Sequence, residues 1–543
     1  MARTPLASTL RSLFRDLTLA RRTGMPVDEL RDQRAEHRAS RGPSRRHLLL
    51  GGAAGAAAVA LPRPVRAAPS GGGSIAIVGG GIAGLTCALE LLDRGLESTV
   101  YEASDRLGGR IFSNRTGYWA DGQVSEWGGE LIDTGHATML ALAGRFGLPV
   151  DDLLGAQPAG SGDTYRVHGG YFSREDCDRE FAAIWTTIKN DLKAAPYPQT
   201  WDSYSASGAA LSAMSIHEWI ETRVPGGHDS GLGQVLDLAY AIEFGADTMD
   251  QSALNLLYLL AYQPTPFKGE LAMFGVSDEK YRIRGGNQRL PEAIGAHLGE
   301  RVVTGHRLVR IKQTTGGRYQ LTFQRGNQTV ETVYDHVVMA LPFAAYTFDY
   351  SQAGFDALKR QAITQLGKGH NGKLHLQFNR RGWLGTGPWH GVSNGSSYSD
   401  TGYQASWEVS RAQAGQSGIL VLYSGGSVTD SMKTSSPFAT ASDAKVRADA
   451  NDGLAELAPV YPGLAWNGKA TQSIWHKSPL FNASYSFYRN GQYTQFAGYE
   501  AVQQGNVHFC GEHTNIDYQG FMEGGALSGQ LVAKALRQIV RNQ

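Results

Sequence analysis

The feature that most constrains the fold is the segment SIAIVGGGIAGL at residues 74–85. A short apolar run is followed by glycines with the spacing Gly79-x-Gly81-x-x-Gly84. The first glycine permits a tight turn, the second lets a pyrophosphate approach the backbone, and the third lets the helix pack on the strand. The segment predicts a strand, a phosphate-binding turn and a helix that starts near Ala83. Alone it does not distinguish NAD-dependent dehydrogenases from flavoproteins.

The residues after this turn complete a βαβ unit. We expect a strand over 75–78, a helix over 83–92 and a second strand over 98–102, which ends at Glu102. Glu102 follows Gly79 by 23 residues, the spacing at which a carboxylate accepts a hydrogen bond from a ribose hydroxyl. The helix N-terminus adds amide groups and a partial positive charge for the phosphates.

Length and charge limit the classes of protein that are compatible with the chain. Its 543 residues are 41% hydrophobic and 19% charged, which indicates two or three globular domains. Residues 1–66 hold 13 Arg, no Lys and five acids, a net charge of +8, whereas the remainder has 38 basic against 45 acidic residues. This distribution predicts no basic surface for nucleic acid.

The basic N-terminal region has the pattern of an export signal. Ser44-Arg45-Arg46 precedes an apolar run and then Val65-Arg66-Ala67, a small-residue cleavage site. We interpret residues 1–67 as a Tat signal, which predicts a periplasmic or extracellular protein that folds with its cofactor before export. The apolar run is too short for a stable membrane span, and a disordered basic tail is the alternative.

The three cysteines, Cys87, Cys177 and Cys510, are too few for a disulfide framework. Cys87 falls inside the first predicted helix, where we expect a small buried residue. The sequence has no Cys-x-x-Cys motif or His–Cys cluster, so no metal site is predicted.

Changes in sequence texture along the chain predict a discontinuous nucleotide-binding domain. We assign residues 71–147, 281–342 and 471–543 to it, and residues 148–280 and 343–470 to a second, substrate-binding domain. Helices are expected near 175–194 and 211–222, strands at 308–311, 319–323 and 337–341, and an amphipathic helix at the C-terminus. The fold class is therefore α/β, with a Rossmann-like domain and an interleaved α+β domain.

Segments distant from the first glycines favour FAD over NAD. Gly108-Gly109-Arg110 extends the phosphate wall and adds a cation, and Glu512 in FCGEHT offers a carboxylate for a ribityl or ribose hydroxyl. The last helix, which starts near Met522, would direct its positive end at a flavin. An extended site of this kind suits a tightly held cofactor.

The motifs together resemble the flavin-containing amine oxidase family, which includes monoamine, polyamine and L-amino acid oxidases. The matching pieces, between about residues 74 and 540, are GGGIAGL, EASDRLGGR, EWGGELI, RGGNQRL, VVMALPF, NGKLHLQF and GEHT followed by GFMEGGALSG. The resemblance implies a Rossmann-like FAD domain interleaved with a substrate domain on a mixed sheet.

The resemblance also implies roles for individual residues. Lys373 corresponds to the lysine that holds a water near flavin N5, and Tyr485 and Phe521 to the aromatic pair in front of the flavin. Ser484 replaces the cysteine that some monoamine oxidases link to flavin, so non-covalent FAD is expected. The residues expected to contact the cofactor are Gly79, Gly81, Ala83, Gly84, Glu102, Arg110, Gly128, Gly129, Glu130, Leu308, Trp475, Gly511, Glu512, Gly520, Phe521 and Met522.

The implied reaction is oxidation of a carbon–nitrogen bond with oxygen as acceptor. Oxidation of an L-amino acid to the 2-oxo acid, ammonia and hydrogen peroxide is the favoured interpretation. A monoamine or polyamine oxidase is the alternative, and a desaturase or dehydrogenase that does not use oxygen ranks below it. A carboxylate substrate needs a cation, for which Arg115 and Arg381 are candidates, and a diamine needs an acid such as Glu130. A homodimer is compatible with the sequence but not indicated by it.

Overall fold

The computed structural model describes residues 73–261 and 278–542. The predicted Tat signal, residues 1–67, lies outside the described residues. So do residues 71–72 of the first predicted FAD-binding segment, residues 262–277 of the predicted substrate-binding segment 148–280, and residue 543. The predicted domain boundaries stay predictions.

The strands and helices of the described residues are numbered along the chain. The strands are β1 Ile75–Val78, β2 Ser98–Tyr101, β3 Ser113–Asn114, β4 Ser125–Glu126, β5 Val150–Asp152, β6 Ser161–Val167, β7 Gly170–Phe172, β8 Tyr281–Ile283, β9 Val302–Val303, β10 Arg307–Gln313, β11 Tyr319–Arg325, β12 Gln328–Tyr334, β13 His336–Met339, β14 Asp349–Gln352, β15 Gly367–Lys368, β16 Asn371–Phe378, β17 Leu384–Thr386, β18 Val392–Ser399, β19 Ala405–Glu408, β20 Gly418–Gly425, β21 Phe438–Thr440, β22 Trp466–Ile474, β23 Ser486–Phe487 and β24 Val507–Phe509. The α-helices are α1 Ile82–Asp93, α2 Ala137–Arg145, α3 Arg174–Ala194, α4 Ala206–Ala213, α5 Ile216–Arg223, α6 Gly231–Phe244, α7 Ala253–Ala261, α8 Arg289–Leu298, α9 Ala357–Gln365, α10 Gly426–Asp430, α11 Ala444–Leu457, α12 Gln492–Gln495 and α13 Met522–Asn542.

A five-stranded parallel sheet is built from strands that are far apart in the sequence. Its order is β24-β13-β1-β2-β9, with the fingerprint strand β1 in the middle. Helices α1 and α13 pack against each other beside it, and Cys87 is buried in α1. The predicted strand–helix–strand unit is confirmed, with the helix one residue longer at each end than predicted. This topology brings the two ends of the described chain into one layer.

The third fingerprint glycine sits where the helix crosses the strand. A Cβ atom on Gly84 would overlap the carbonyl oxygen of Gly79 and lie 3.1 Å from the Cβ of Ala340. Only hydrogen fits in this space, so α1 starts close enough to the sheet for its N-terminus to face the space above the strands.

A four-stranded sheet of order β12-β11-β10-β14 follows α8. The predicted strands 308–311 and 319–323 are present inside β10 and β11, which pair antiparallel. The predicted strand 337–341 is also present, but β13 ends at Met339 and belongs to the five-stranded sheet.

A second large sheet carries most of the remaining strands. Its order is β21-β22-β16-β20-β19-β18-β6-β7, with β17 paired to β18. The central strand β16 is buried along its whole length, because β20 and β22 flank it in antiparallel register. This sheet holds Lys373 in its interior.

Helices α3 to α7 form a layer that includes both helices predicted between β7 and β8. The predicted helix 175–194 is confirmed as α3. The predicted helix 211–222 is wrong as a single helix. Met214 is extended, and the hydroxyl of Ser215 accepts the N–H of Glu218 at 3.0 Å, which starts a new helix at Ile216. Among the described helices, none has both the length and the apolar character needed to cross a membrane.

Candidate active site

A large cavity lies between the carboxyl ends of the five-stranded sheet and the nine-stranded sheet. Its empty volume is about 1860 Å³, counted to the open solvent at its mouth. Its lining runs from the glycine turn at the end of β1 to Lys373 on β16, so the cavity connects the predicted cofactor-binding segment with the predicted catalytic lysine. The predicted site residues that line it are Gly79, Gly81, Ala83, Glu102, Arg110, Gly128, Gly129, Glu130, Leu308, Lys373, Trp475, Tyr485, Gly511, Glu512, Gly520, Phe521 and Met522. Gly84 is not among the lining residues, since it packs beneath the turn.

The glycine turn has the shape of a phosphate cradle. Gly79 has φ +113° and donates its N–H to the carbonyl of Tyr101 at 2.8 Å. Gly81 and Gly108 form a bridge, so two backbone segments run side by side. Helix α1 begins at Ile82 without any side-chain cap. Its first amide groups therefore remain available to an anion, as a dinucleotide cofactor requires.

Glu102 lies at the end of β2, on the wall of this cradle. One carboxylate oxygen accepts the N–H of Gly80 at 2.7 Å. The other accepts the N–H and the hydroxyl of Ser104 at 2.8 and 2.7 Å. These bonds fix the carboxylate where the βαβ spacing places a ribose acceptor, and the oxygen that accepts from Gly80 has a second lone pair for a sugar hydroxyl.

Arg110 and Glu512 form a buried ion pair that joins distant segments. Nη1 of Arg110 donates to Glu512 and to the carbonyl of Ser484, both at 2.8 Å. Glu512 also accepts from the N–H and hydroxyl of Ser486 and from the N–H of Gly520. Burial raises the pKa of Glu512, but the Arg110 guanidinium and these hydrogen bonds outweigh it and lower the pKa to about 2. The carboxylate is therefore ionised at neutral pH and already has several donors from the protein.

Gly128 allows a close approach that a larger residue would block, because its Cβ would overlap the carbonyl oxygen of Arg110, and Gly129 next to it packs against the Met522 side chain. A Cβ atom on Gly128 would lie 2.7 Å from the ring of Trp475, and one on Gly129 would lie 2.8 Å from the sulfur of Met522. Trp475 donates its indole N–H to the carbonyl of Trp127 at 2.8 Å. The start of α13 and the Trp475 ring are thereby held against the same turn.

Lys373 projects from β16 into this region. Its Nζ donates to the carboxylate of Glu130 at 2.6 Å and to the carbonyl of Gly128 at 3.0 Å, and it lies 5.5 Å from the centre of the Trp407 ring. Burial raises the pKa of Glu130, but the Lys373 ammonium reverses the effect and lowers it overall. An ammonium has three donors, so the third N–H of Lys373 is available to a water or a substrate.

Aromatic side chains from several elements surround the lysine. The hydroxyl groups of Tyr423 and Tyr485 lie 2.9 Å apart, and Tyr485 donates to the carbonyl of Ile242 at 2.9 Å. The rings of Trp407 and Tyr423 meet edge to face at 5.1 Å between centroids. Phe521 directly precedes α13 in the sequence. Its ring centre lies 5.4 Å from that of His136. The arrangement forms an apolar wall with fixed ring orientations.

Sequence reasoning missed Trp407, Tyr423 and Asn371, which also line the cavity. Trp407 and Tyr423 lie on β19 and β20, in segments without any short motif. Asn371 is two residues before Lys373, and its side chain donates to Ile242 and accepts from the Ser484 hydroxyl at 2.6 Å. Only the alternation along β16, which places Asn371 and Lys373 on one face, was a signal in the sequence.

Two further acids line the cavity, Asp133 and Glu279. Glu279 has φ +46°, a conformation that side chains other than glycine rarely adopt, and its N–H donates to Asp133 at 2.9 Å. Such strain persists only where the surroundings impose it, and it concentrates at ligand sites. The neighbouring carboxylate of Asp278 instead accepts hydrogen bonds from the N–H and the hydroxyl of Thr134.

The two candidate cations for a substrate carboxylate lie elsewhere. Arg115 pairs with Glu292 at 2.5 Å on the surface, and Arg381 pairs with Glu408 at 2.7 Å. Neither is among the residues that line the cavity. These two side chains therefore do not contribute to its charge.

The Arg110–Glu512 pair makes the free energy of unfolding depend on pH. A carboxyl whose pKa falls from 4.5 to about 2 stabilises the folded state above pH 4.5, and this contribution is lost as the pH falls toward 2. We expect Glu512→Gln to lower the free energy of unfolding at pH 7 by up to about 3 kcal/mol. The difference from the unmodified protein should shrink below pH 4.5, as measured by denaturant titration at several pH values.

Glu331→Gln is the matched control, because Glu331 pairs with Arg310 at the surface, where 46% of its side chain is exposed. We expect a change within about 0.5 kcal/mol for this variant. A Glu512→Gln deficit that stays constant down to pH 2 would contradict the assigned charge state.

Comparisons with known proteins agree with this geometry. The model of the family "flavin containing amine oxidoreductase" matches residues 82–537. The chain is 23% identical over 488 residues to a Bacillus subtilis protein named putative L-amino-acid oxidase YobN, covering 86% of this chain and 95% of that protein. It is 24% identical over 477 residues to a pseudooxynicotine dehydrogenase of a Pseudomonas species, covering 84% of each.

Among solved structures, cyclohexylamine oxidase from Brevibacterium oxydans superposes with a TM-score of 0.70 at 19% identity. The match covers 87% of this chain and all of that one. At this identity the likeness concerns the fold alone. It agrees with the expected arrangement of a Rossmann-like domain interleaved with a mixed sheet. Together with the family match over most of its length, it shows that this chain belongs to the flavin-containing amine oxidoreductase family.

Proposed function

We propose that this protein is an FAD-dependent oxidase of amines that carry a second positive charge, such as diamines. The observation that carries the proposal is the charge of the cavity. Its described lining has five carboxylates, on Glu102, Glu130, Asp133, Glu279 and Glu512, against three permanent cations, on Arg110, Arg307 and Lys373. Arg110 and Lys373 form ion pairs with Glu512 and Glu130, which leaves Glu102, Asp133 and Glu279 against Arg307. A cavity with a net negative charge favours a cationic substrate.

FAD is supported by the fit of the site. The glycine cradle, the carboxylate of Glu102 and the uncapped N-terminus of α1 match an adenosine diphosphate. Gly128, Gly129 and Trp475 line the cavity together, on the wall where a flat ring would be held. Non-covalent binding is supported by Ser484, whose hydroxyl is hydrogen bonded to Asn371 and does not form a thioether. When bound, the flavin supplies an acceptor for the two electrons and the hydrogen that leave the carbon next to nitrogen.

The protein's own part is orientation and desolvation. The rings of Tyr423, Tyr485 and Phe521 form an apolar wall that favours the neutral form of the reacting amine, because burial penalises the charged form. Lys373, anchored by Glu130 and Gly128, holds a water with its third N–H. In the net reaction the amine, oxygen and water give a carbonyl compound, ammonia and hydrogen peroxide. Positioning of this kind lowers the barrier without a strong protein base.

Oxidation of an L-amino acid is the second candidate. It is favoured by the similarity to the protein named putative L-amino-acid oxidase YobN, which extends over 95% of that protein. A substrate carboxylate would need a cation, and among the described lining residues Arg110 and Lys373 already bond to Glu512 and Glu130. The relative from Pseudomonas is named pseudooxynicotine dehydrogenase, so the experiment below also tests whether oxygen is the electron acceptor.

The twin arginines supply the proposal for localisation. Ser44-Arg45-Arg46, the apolar run after them and Val65-Arg66-Ala67 support export by the Tat route to the periplasm or beyond. A cofactor that is bound in a cavity between two sheets would have to be loaded before export of the folded chain.

The test of the proposed reaction is a panel of diamines, monoamines and the L-amino acids with the purified flavoprotein. We expect diamines to bleach the flavin under anaerobic conditions and to give hydrogen peroxide when air is admitted. Bleaching by L-amino acids alone would contradict the proposed substrate class. Bleaching by amines without peroxide on exposure to air would contradict oxygen as the acceptor.

The variant Lys373→Met tests the role that we assign to Lys373 in the reaction. We expect at least one half-reaction, flavin reduction or reoxidation, to slow about 100-fold or more, since a positioned proton donor contributes about 10²–10⁴. The flavin should stay bound, and stopped-flow absorbance separates the two half-reactions. Lys469→Met is the control, because Lys469 lies on the neighbouring strand β22 and bonds to the carbonyl of Tyr118. Unchanged rates in Lys373→Met would remove the assigned role.

Glu279→Gln tests the acid that we assign to the distal charge. We expect kcat/KM for a diamine to fall about 10- to 100-fold, since hydrogen bonds to charged groups contribute about 1.5–3 kcal/mol. A monoamine without a second charge should be affected little. Asp278→Asn is the matched control, because Asp278 is adjacent in sequence and its carboxylate accepts a hydrogen bond from the Thr134 hydroxyl. Equal losses for diamine and monoamine would argue against selection by charge.

A further inference from the structure

Three neighbouring strands of the nine-stranded sheet end close to two histidines and an aspartate. In the antiparallel register of β16 and β22, Gly372 is opposite Ile474. Extending that register by two residues places His370 opposite His476. On the other side of β16, Asn371 is opposite Gly425 of β20, and the short helix α10 that follows ends at Asp430. The sheet itself therefore brings the three side chains together.

The distances between these side chains are those of a metal site. Oδ1 of Asp430 lies 2.9 Å from Nδ1 of His370 and 3.2 Å from Nε2 of His476. One ligand atom from each residue lies within 4.8 Å of the others. Tetrahedral zinc with bonds of about 2.0–2.1 Å separates its ligand atoms by about 3.3 Å. The two imidazole rings stack at 4.0 Å with an angle of 16° between their planes, so one ring must rotate for a nitrogen of each to point at the same ion.

The charges around the cluster suit metal binding. Lys477 is next in sequence, but its ammonium is held by the carbonyls of Met432 and Thr434 at 3.0 and 2.7 Å. Asp430 supplies the negative charge and is about half exposed.

We propose that His370, Asp430 and His476 form a binding site for a divalent transition metal ion, with Zn²⁺ as its reference ligand. Two imidazoles and one carboxylate supply three protein ligands, a set that zinc accepts with water in the fourth position. The exposed side of Asp430 gives that water access to solvent. The site does not depend on the proposed reaction, because it lies outside the residues that line the cavity.

A second group with similar residue types, His217, Glu221 and His228, differs in one respect. There a single imidazole is shared between two carboxylates. Nδ1 of His228 contacts Glu221, and Nε2 lies 3.3 Å from Asp237. Both nitrogens of His228 are therefore engaged, whereas in the first group each imidazole offers one nitrogen to the same oxygen. The second group is a natural control.

The proposed metal would join strands that also carry cavity residues. Asn371 and Lys373 follow His370 on β16, and Trp475 immediately precedes His476. An ion held by the folded state alone stabilises it by mass action. We therefore expect Zn²⁺ to raise the thermal unfolding midpoint.

The experiment uses untagged, flavin-loaded full chain that has been treated with a chelator and dialysed at pH 7. Zn²⁺ is titrated by calorimetry and by competition with a chromophoric chelator. We expect one saturable site, weakened about 10- to 100-fold or more in His370→Ala and in His476→Ala, since even residues that only support metal ligands cost that much when replaced. His217→Ala should bind Zn²⁺ as the unmodified protein does. Zn²⁺ should raise the thermal unfolding midpoint of the unmodified protein and of His217→Ala, but not that of His370→Ala or His476→Ala.

Asp430→Asn keeps the test decisive if a histidine variant fails to fold, because Asp430 ends a short surface helix. Flavin content reports folding in each variant, and Asp430→Asn should lose the site as well. The proposal is overturned if the unmodified protein has no saturable Zn²⁺ site. It is also overturned if the folded variants at 370, 430 and 476 bind as tightly as the unmodified protein, or if His217→Ala loses binding to the same extent.

Discussion

The ion pair between Arg110 and Glu512 is the interaction on which the site depends. It joins residues 402 positions apart, and the same carboxylate holds Ser486 and the N–H of Gly520. A buried carboxylate is tolerated only when donors compensate its lost hydration. Here those donors come from the loop after the fingerprint, from β23 and from the turn before α13. Removing Glu512 would take away the acceptor that all three segments share, and removing Arg110 would leave the buried carboxylate without its cation.

A second buried pair repeats this principle on the substrate side. Lys373 is placed by the central strand of the nine-stranded sheet, and Glu130 by the turn that begins with Gly128. The pair links the nine-stranded sheet to this turn and fixes the ammonium with one donor to spare. Besides these pairs, the charged side chains that line the cavity include Asp133, Glu279 and Arg307, and the buried Arg411 interacts electrostatically with Glu279.

The local order of the nucleotide-binding part could be predicted from the sequence, because glycine spacing and apolar runs act over a few residues. The turn at Gly79, helix α1 and the positions of β10, β11 and α13 follow from such patterns. The break at Ser215 was missed, since an apolar periodicity continues across it and only the cap of α5 interrupts the helix. Lys373, Tyr485 and Phe521 were selected by family resemblance, and they line the same cavity in the structure.

Contacts between distant strands could not be predicted in this way. Trp407 and Tyr423 meet the cavity because β19 and β20 pair beside β16, a register that no single segment encodes. The same holds for His370, Asp430 and His476, which are separated by 60 and 46 residues and show no ligand spacing along the chain. Their meeting depends on the pairing of β22, β16 and β20. Because Lys373 lies on β16 and the two histidines lie just beyond the paired ends of β16 and β22, any shift in that register would change the wall of the cavity and the proposed metal site together.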